Sequence, residues 1–334
     1  MPFYFIGGED SDFTKIGLCS VDTATTAARR TAFARCSLKV GTTAAISDGW
    51  VGQFSSAQSS FWLTAKFYNA GTNAVANCDF IALMDSGFNR RISLSVPGGG
   101  GVIFLRKRNA AGTYTTLATS GIAMMASALV KLDMQVAYGT SGNIKVYLDG
   151  TLIIDYTGDV TTDGATTLSG FVLGSEGPAA GITSYWSEVI VSSVDTRSLA
   201  LVTLPPLANG NAFTFTTGTT TNLSEVTLDD ATLATSATAG QIAQSTITSS
   251  GVTGNPQIVA VAVNARAQKG TTGPSKADLG VRTASTDYWS PDIALPVTLD
   301  RISNVWETNP NTSAPWLYTD LTNAGFNIGM KSVT

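Results

Sequence analysis

The feature that most constrains this chain is a period of two. Through residues 131–156 apolar and polar side chains alternate: Leu132, Met134, Val136 and Tyr138 share one parity, and Ile144, Val146 and Leu148 then alternate with Lys145, Tyr147 and Asp149. A spacing of two puts side chains on the same face of an extended strand, so each run reads as a strand with one buried face. Residues 139–143, GTSGN, supply a turn. Asp149-Gly150 is a hairpin signal, because both central positions of a type I′ turn need positive φ. Leu152, Ile154 and Tyr156 continue beyond it, which predicts a three-strand antiparallel meander.

Shorter β-rich runs bounded by Gly, Asn, Asp or Pro stand at 61–68, 80–84, 91–96, 102–106, 171–173 and 184–191. Many short strands with almost no helical periodicity predict an all-β fold, with a jelly-roll sandwich over residues 1–195. A linker at 196–208 follows, since Pro205 and Pro206 cannot join a central strand, and Asn209-Gly210-Asn211 reads as a turn. Residues 209–334 predict a second, smaller β-sandwich. There the Thr-rich run from Thr214 favours extended structure. Val259, Val261, Val263 and Ala265 fall on one face, and a long hairpin loop at 268–275 leads to a strand carrying Leu279 and Val281. The one helix expected spans 319–324, after the breaks at Pro310 and Pro315.

Charged residues make up 13% of the chain, about half the usual share of roughly 25%. With a net charge of -4 the chain has no overall field to attract nucleic acid or an anionic membrane, so neither is expected as a partner. The longest apolar run, 122–130, falls well short of the roughly 18 residues of a membrane span. The start lacks the basic region of a secretory signal, which predicts synthesis in a reducing cytoplasm. Cys19, Cys36 and Cys78 contain no C-x-x-C pair and read as buried free thiols.

Histidine is absent from the chain, which excludes Ser-His-Asp triads, Cys-His pairs and H-E-x-x-H zinc sites. A glycan hydrolase needs only two carboxylates, about 5–9.5 Å apart. No E-x-D or D-x-E lies on an expected strand, and Asp229-Asp230 would face opposite ways, so no catalytic residues and no cofactor are expected. A jelly-roll hydrolase is the alternative. Glu9, Asp10 and Asp12 form the densest acidic patch, a candidate calcium cluster weighed against a solvated loop. Gly98 to Gly101 resembles a phosphate cradle only in composition and reads as a flexible turn. Arg106, Lys107 and Arg108, near Tyr114, are a candidate interaction surface for an acidic partner or an anionic glycan, weighed against a solvated strand end. Of the six tryptophans, most read as core anchors, with a carbohydrate-stacking platform as the alternative.

The segments at 131–138 (KLDMQVAY), 142–150 (GNIKVYLDG) and 152–158 (LIIDYTG) resemble the central strands of concanavalin A-like, laminin G-like jelly rolls. Together with 183–191 (TSYWSEVIV), the strand at 259–266, GTTGP at 270–274 and VWETNPNTSAPW at 305–316, they resemble a group of tailed-bacteriophage structural proteins, a laminin G-like domain followed by a second β-domain. The resemblance implies a virion component: a tail appendage or fibre-associated protein, or alternatively a capsid decoration protein. Within that reading, host-receptor or glycan binding by the jelly-roll loops competes with pure scaffolding. It supplies no catalytic or metal-binding residues. The expected partners are other virion proteins and further copies of the chain. A neutral, hydroxyl-rich exterior is buried at modest cost against identical neighbours, with a trimer favoured.

Overall fold

The computed structural model describes residues 3–17, 19–23, 29–40, 48–70, 78–97, 101–109, 111–124, 127–176, 183–248, 252 and 254–334. Gly98, Gly99 and Gly100 of the glycine run lie outside them. The chain divides into two compact units, Met1–Val202 and Thr203–Thr334. Residues 196–202 of the expected linker therefore belong to the first unit.

The first unit is built from β1 (Phe3–Gly7), β2 (Thr14–Ile16), β3 (Cys19–Asp22), β4 (Ser37–Val40), β5 (Asp48–Gln58), β6 (Ser60–Asn69), β7 (Cys78–Met84), β8 (Arg90–Val96), β9 (Val102–Arg108), β10 (Tyr114–Ala123), β11 (Leu129–Ala137), β12 (Gly142–Leu148), β13 (Thr151–Gly158), β14 (Leu168–Glu176) and β15 (Ser184–Ser192). They form two antiparallel sheets. One, of eight strands, runs β13-β12-β11-β6-β15-β4-β3 with β1 added to β15; the other, of seven, runs β10-β9-β8-β7-β14-β5-β2.

Alternation decides which face of each strand is buried. Phe61, Leu63, Ala65 and Phe67 of β6, Leu132, Met134 and Val136 of β11 and Ile144 and Val146 of β12 all enter one core. Trp186 of β15 is fully buried there, 4.4 Å from the Phe67 ring and 6.3 Å from that of Phe80, so one indole joins the two sheets. Cys19, Cys36 and Cys78 are buried free thiols, and burial pushes Cys19 and Cys36 up to about 12.

The meander lies at β11-β12-β13, with Leu132 opposite Leu148 and Met134 opposite Val146. Its hairpin has φ of 47° at Asp149 and 80° at Gly150, as a type I′ turn requires. Leu152 departs from the expected alternation. A register shift in the β12–β13 pair sets Tyr147 opposite Leu152, while Ile153 and Ile154 both turn inward and Leu152 is exposed.

The second unit comprises β16 (Pro206–Phe213), α1 (Thr220–Leu223), β17 (Ile242–Ile247), β18 (Val261–Ala267), β19 (Lys276–Thr283), β20 (Thr286–Trp289), β21 (Ile293–Ala294), β22 (Asp300–Trp306), α2 (Tyr318–Thr322) and β23 (Asn327–Val333). A six-stranded sheet, β16-β17-β23-β19-β20 with β21 on β19, accompanies a two-stranded β18-β22 ribbon. Leu279, Val281, Val263, Ile302, Trp316 and Phe326 form the core between them. The Trp316 indole donates to the Trp306 carbonyl at 2.9 Å, pinning the 305–316 segment.

Four local expectations are corrected here. The 209–211 turn lies inside β16, whose edge position tolerates Pro206 as its first residue. The Asn327 amide oxygen accepts from the Asn211 N–H at 2.7 Å, and a Cβ at Gly210 would stand 2.3 Å from that oxygen. The extended run therefore ends at Phe213 instead of opening at Thr214. The 268–275 connection is no hairpin loop, because β18 pairs with β22 and β19 with β23, so it crosses between sheets. A second short helix, α1, joins the one expected.

Candidate functional site

The acidic cluster folds inward. Asp10–Asp12 is a single 3-10 turn in which Asp10 and Asp12 are buried. Asp12 turns its carboxylate back onto its own chain, accepting from the Gly8 N–H at 2.7 Å and the Glu9 N–H at 3.1 Å. Glu9 pairs with Arg35 at 2.9 Å, yet burial outweighs that attraction and pushes its carboxyl up to about 7. The expected solvated loop is thus a buried turn, and among the described residues no group of three acidic or thiol side chains could hold a metal.

The basic cluster is spent internally. Arg106 is buried, contradicting its placement on an interaction surface or a solvated end. Its guanidinium lies 3.7 Å from the Tyr114 ring centroid and 3.9 Å from the Asp79 carboxylate, which also accepts from the Tyr114 hydroxyl at 2.8 Å. Arg108 shares that ring at 5.2 Å, while Lys107 faces the other way, to Asp159 at 3.1 Å. None of this was readable along one strand, because Asp79 comes from β7 and Tyr114 from β10. The tryptophans are half-buried or buried, and Trp62 lies with Tyr147 beneath the Arg197 guanidinium at 5.0 and 4.6 Å.

The outer face of the eight-stranded sheet, opposite the core, is unlike the rest of the unit. Trp62, Thr64, Lys66 and Tyr68 alternate outward on β6 beside Lys131, Asp133 and Gln135 of β11. Residues 195–201 cross this face as a strap. The Lys131 ammonium donates to the carbonyls of Arg197 at 2.6 Å, Leu199 at 2.9 Å and Thr196 at 3.4 Å. Beneath it the Thr64 hydroxyl bridges Asp133 and Thr196 at 2.5 Å each, all three buried. Burial raises the Asp133 carboxyl and lowers the Lys131 ammonium from their ordinary values.

Between the strap and residues 31–33 a cleft of about 220 Å³ opens, with Lys66, Lys131, Thr64 and Glu188 on its polar side and Phe33, Ile190 and Leu199 among its apolar lining. Its volume is below the roughly 300–1,000 Å³ of drug-sized ligand sites, which suits one small ring or the end of a chain. A β-bulge supplies Glu188. On β15 Trp186 points to the core and Ser187 outward, so strict alternation would send Glu188 inward. The register instead slips between Ser187 and Ile190, Glu188 takes φ 56°, and Val189 fills the core position. The turned-out carboxylate accepts from the Thr31 hydroxyl, and burial raises its pKa against that bond. The sequence signal available for this site is a carboxylate on the core parity of a strand.

Among the described residues Glu188 is the one carboxylate lining the cleft, since Asp133 is sealed beneath the strap. Together the lining can accept a hydroxyl at Glu188, donate from Lys66, and pack a ring against Phe33.

No protein family and no curated protein matches the chain. Solved structures similar to it include the cellulose induced protein Cip1, at 14% identity and TM-score 0.42 over 57% of this chain and 92% of that one. Others are an endo-beta-1,4-glucuronan lyase from Trichoderma reesei (11%, 0.42, 58% and 96%) and the carbohydrate binding module CBM66 from Bacillus subtilis (14%, 0.37, 55% and 96%). The all-β class itself rests on the strand order above.

Proposed function

We propose that the chain is a non-catalytic structural protein of a tailed-bacteriophage particle, a tail appendage or fibre-associated protein whose first unit holds a host-surface glycan in the Lys66–Glu188 cleft. The particle assignment rests on the sequence resemblance. The observation that supports glycan binding is the strained bulge at Glu188. A non-glycine residue at φ 56° costs about 1–3 kcal/mol, and here it turns a carboxylate, 3% exposed, away from the core to line a cleft beside a lysine. A carboxylate, an ammonium and a ring-sized apolar wall are the groups that recognise a hydroxylated ring. A single lining carboxylate among the described residues, in a chain without histidine, favours holding a sugar over hydrolysing it.

The test is a glycan array probed with the full chain and with Glu188→Gln and Lys66→Met. Binding that falls about tenfold or more in either variant is expected, the scale of one charge-assisted hydrogen bond. Absence of binding to every glycan would sink the adhesion reading. Gold-labelled antibody on intact particles tests position: label at the tail is expected, and label spread over the head would replace the appendage by capsid decoration.

A further inference from the structure

We infer that the glycan held at this face is an acidic one, carrying carboxylate or sulfate groups that Lys66 and Lys39 bind, while Glu188 accepts a hydroxyl of the same chain. This rests on the glycan-binding reading above. Most cations at the outer face are already matched: Arg29 with Asp22, Lys131 with Asp133 at 3.8 Å, Lys145 with Asp155 at 3.7 Å and Arg197 with Asp195 at 2.7 Å. Lys39 has no such partner, and Lys66 has only the longer-range attraction of Glu188. Among the described residues neither ammonium has a hydrogen bond or an ion pair, although both are only partly exposed and sit among groups that could have been arranged to satisfy them. A half-buried, unmatched ammonium is poorly solvated and so gains more from an incoming anion than an exposed one does.

Register fixes the relation between the two. Lys39 of β4 lies opposite Tyr185 of β15, which lies opposite Tyr68 of β6, and Lys66 is two residues from Tyr68 on the same face. Two strand spacings across and two residues along place their Cα atoms about 12 Å apart. Between them lies the Tyr68–Tyr185 pair, rings 5.8 Å apart and edge-on, with Tyr185 buried and the Arg29 guanidinium over it, 4.4 Å from its ring centroid. That is a track across the strands with a cation at each end. Glu188 opposes a bare polyanion such as nucleic acid, whose phosphodiesters carry no hydrogen-bond donor, but accepts from a sugar hydroxyl. The local chemistry is therefore opposite in sign to the chain's net charge of -4.

Calorimetric titration of the full chain with polygalacturonate, dextran sulfate, neutral dextran and single-stranded DNA tests this, using wild type, Lys39→Met, Lys66→Met and the double variant. Binding to polygalacturonate or dextran sulfate, weakened about tenfold by each substitution and further in the double variant, is expected, and the two polymers separate carboxylate from sulfate recognition. Binding to neutral dextran that both variants leave unchanged would overturn the acidic-glycan inference while sparing the glycan reading. DNA bound as tightly as either acidic glycan would overturn it too, because Glu188 would then have no role. Failure of every glycan here and on the array would remove both. Unchanged thermal unfolding of the methionine variants keeps a loss of binding from being a loss of fold.

Discussion

Lys131→Met should cost the first unit about 3 kcal/mol, and Asp133→Asn should return at least half of it. The magnitude follows from what the ammonium holds. Asp133 is 1% exposed and its carboxylate has the Thr64 hydroxyl at 2.5 Å and the Lys131 ammonium at 3.8 Å. Removing one partner of a buried pair costs about 3–5 kcal/mol, because the other charge is left in low dielectric. The long separation and the partial exposure of Lys131 bring that toward 2 kcal/mol. The carbonyls of Arg197 and Leu199 lose their closest donor but can turn to water, adding about 1 kcal/mol together. In a unit of this size about 3 kcal/mol lowers the midpoint by about 6–12 °C.

Asp133→Asn removes the charge that Lys131 compensates, so the double variant should show a coupling energy of about 1.5–2 kcal/mol. Differential scanning calorimetry of the full chain gives the midpoints, and hydrogen-exchange mass spectrometry over residues 195–201 reports whether the strap is released. A loss under about 1 kcal/mol in Lys131→Met, or no recovery in the double variant, would refute the reasoning that this lysine both neutralises Asp133 and ties down the strap. Unchanged exchange over the strap would refute the second half alone.

Other consequences are more local. Glu9 titrates near 7 in the folded chain against an ordinary 4.5, so the folded state holds a proton that the unfolded chain has released between those values. Its stabilising contribution is complete below 4.5 and lost as pH rises through 7, at most about 3 kcal/mol. Chemical unfolding from pH 4.5 to 7.5 should show that decline in wild type and a smaller one in Glu9→Gln, where the carboxyls of Asp133 and Glu188, also raised by burial, still contribute. Glu188→Gly should raise the unfolding midpoint by a few degrees, since glycine relieves the φ 56° strain, while losing glycan binding; a lower midpoint would mean the bulge is not strained. Cys19, Cys36 and Cys78 should resist a thiol reagent at pH 8 and all react in denaturant, because they are buried and burial keeps Cys19 and Cys36 protonated.

What could be read along the chain was what neighbouring residues decide among themselves. The β11-β12-β13 meander was legible because alternation and the Asp149-Gly150 turn are local, and Trp186 fits the reading of most tryptophans as core anchors. Its neighbour Glu188 has the same parity and the opposite fate. The difference is a register slip imposed by pairing β15 with β6, strands more than a hundred residues apart in sequence. Charge shows the same limit more sharply. Arg106, Lys107 and Arg108 stand out as a cluster in sequence, yet the fold brings them Asp79, Tyr114 and Asp159, and Arg106 is buried. Lys39 and Lys66 remain outside any close ion pair, because Asp22 pairs with Arg29 and Asp133 with Lys131, while the Glu188 carboxylate bonds to Thr31 and attracts Lys66 only from a distance. What a surface offers a ligand is the charge left over after folding has paired the rest, and that remainder depends on long-range register more than on clustering or on the sum. For this chain the remainder is cationic on a protein whose total is anionic, so salt should weaken its binding to an acidic glycan even though the net charge of the molecule predicts the reverse.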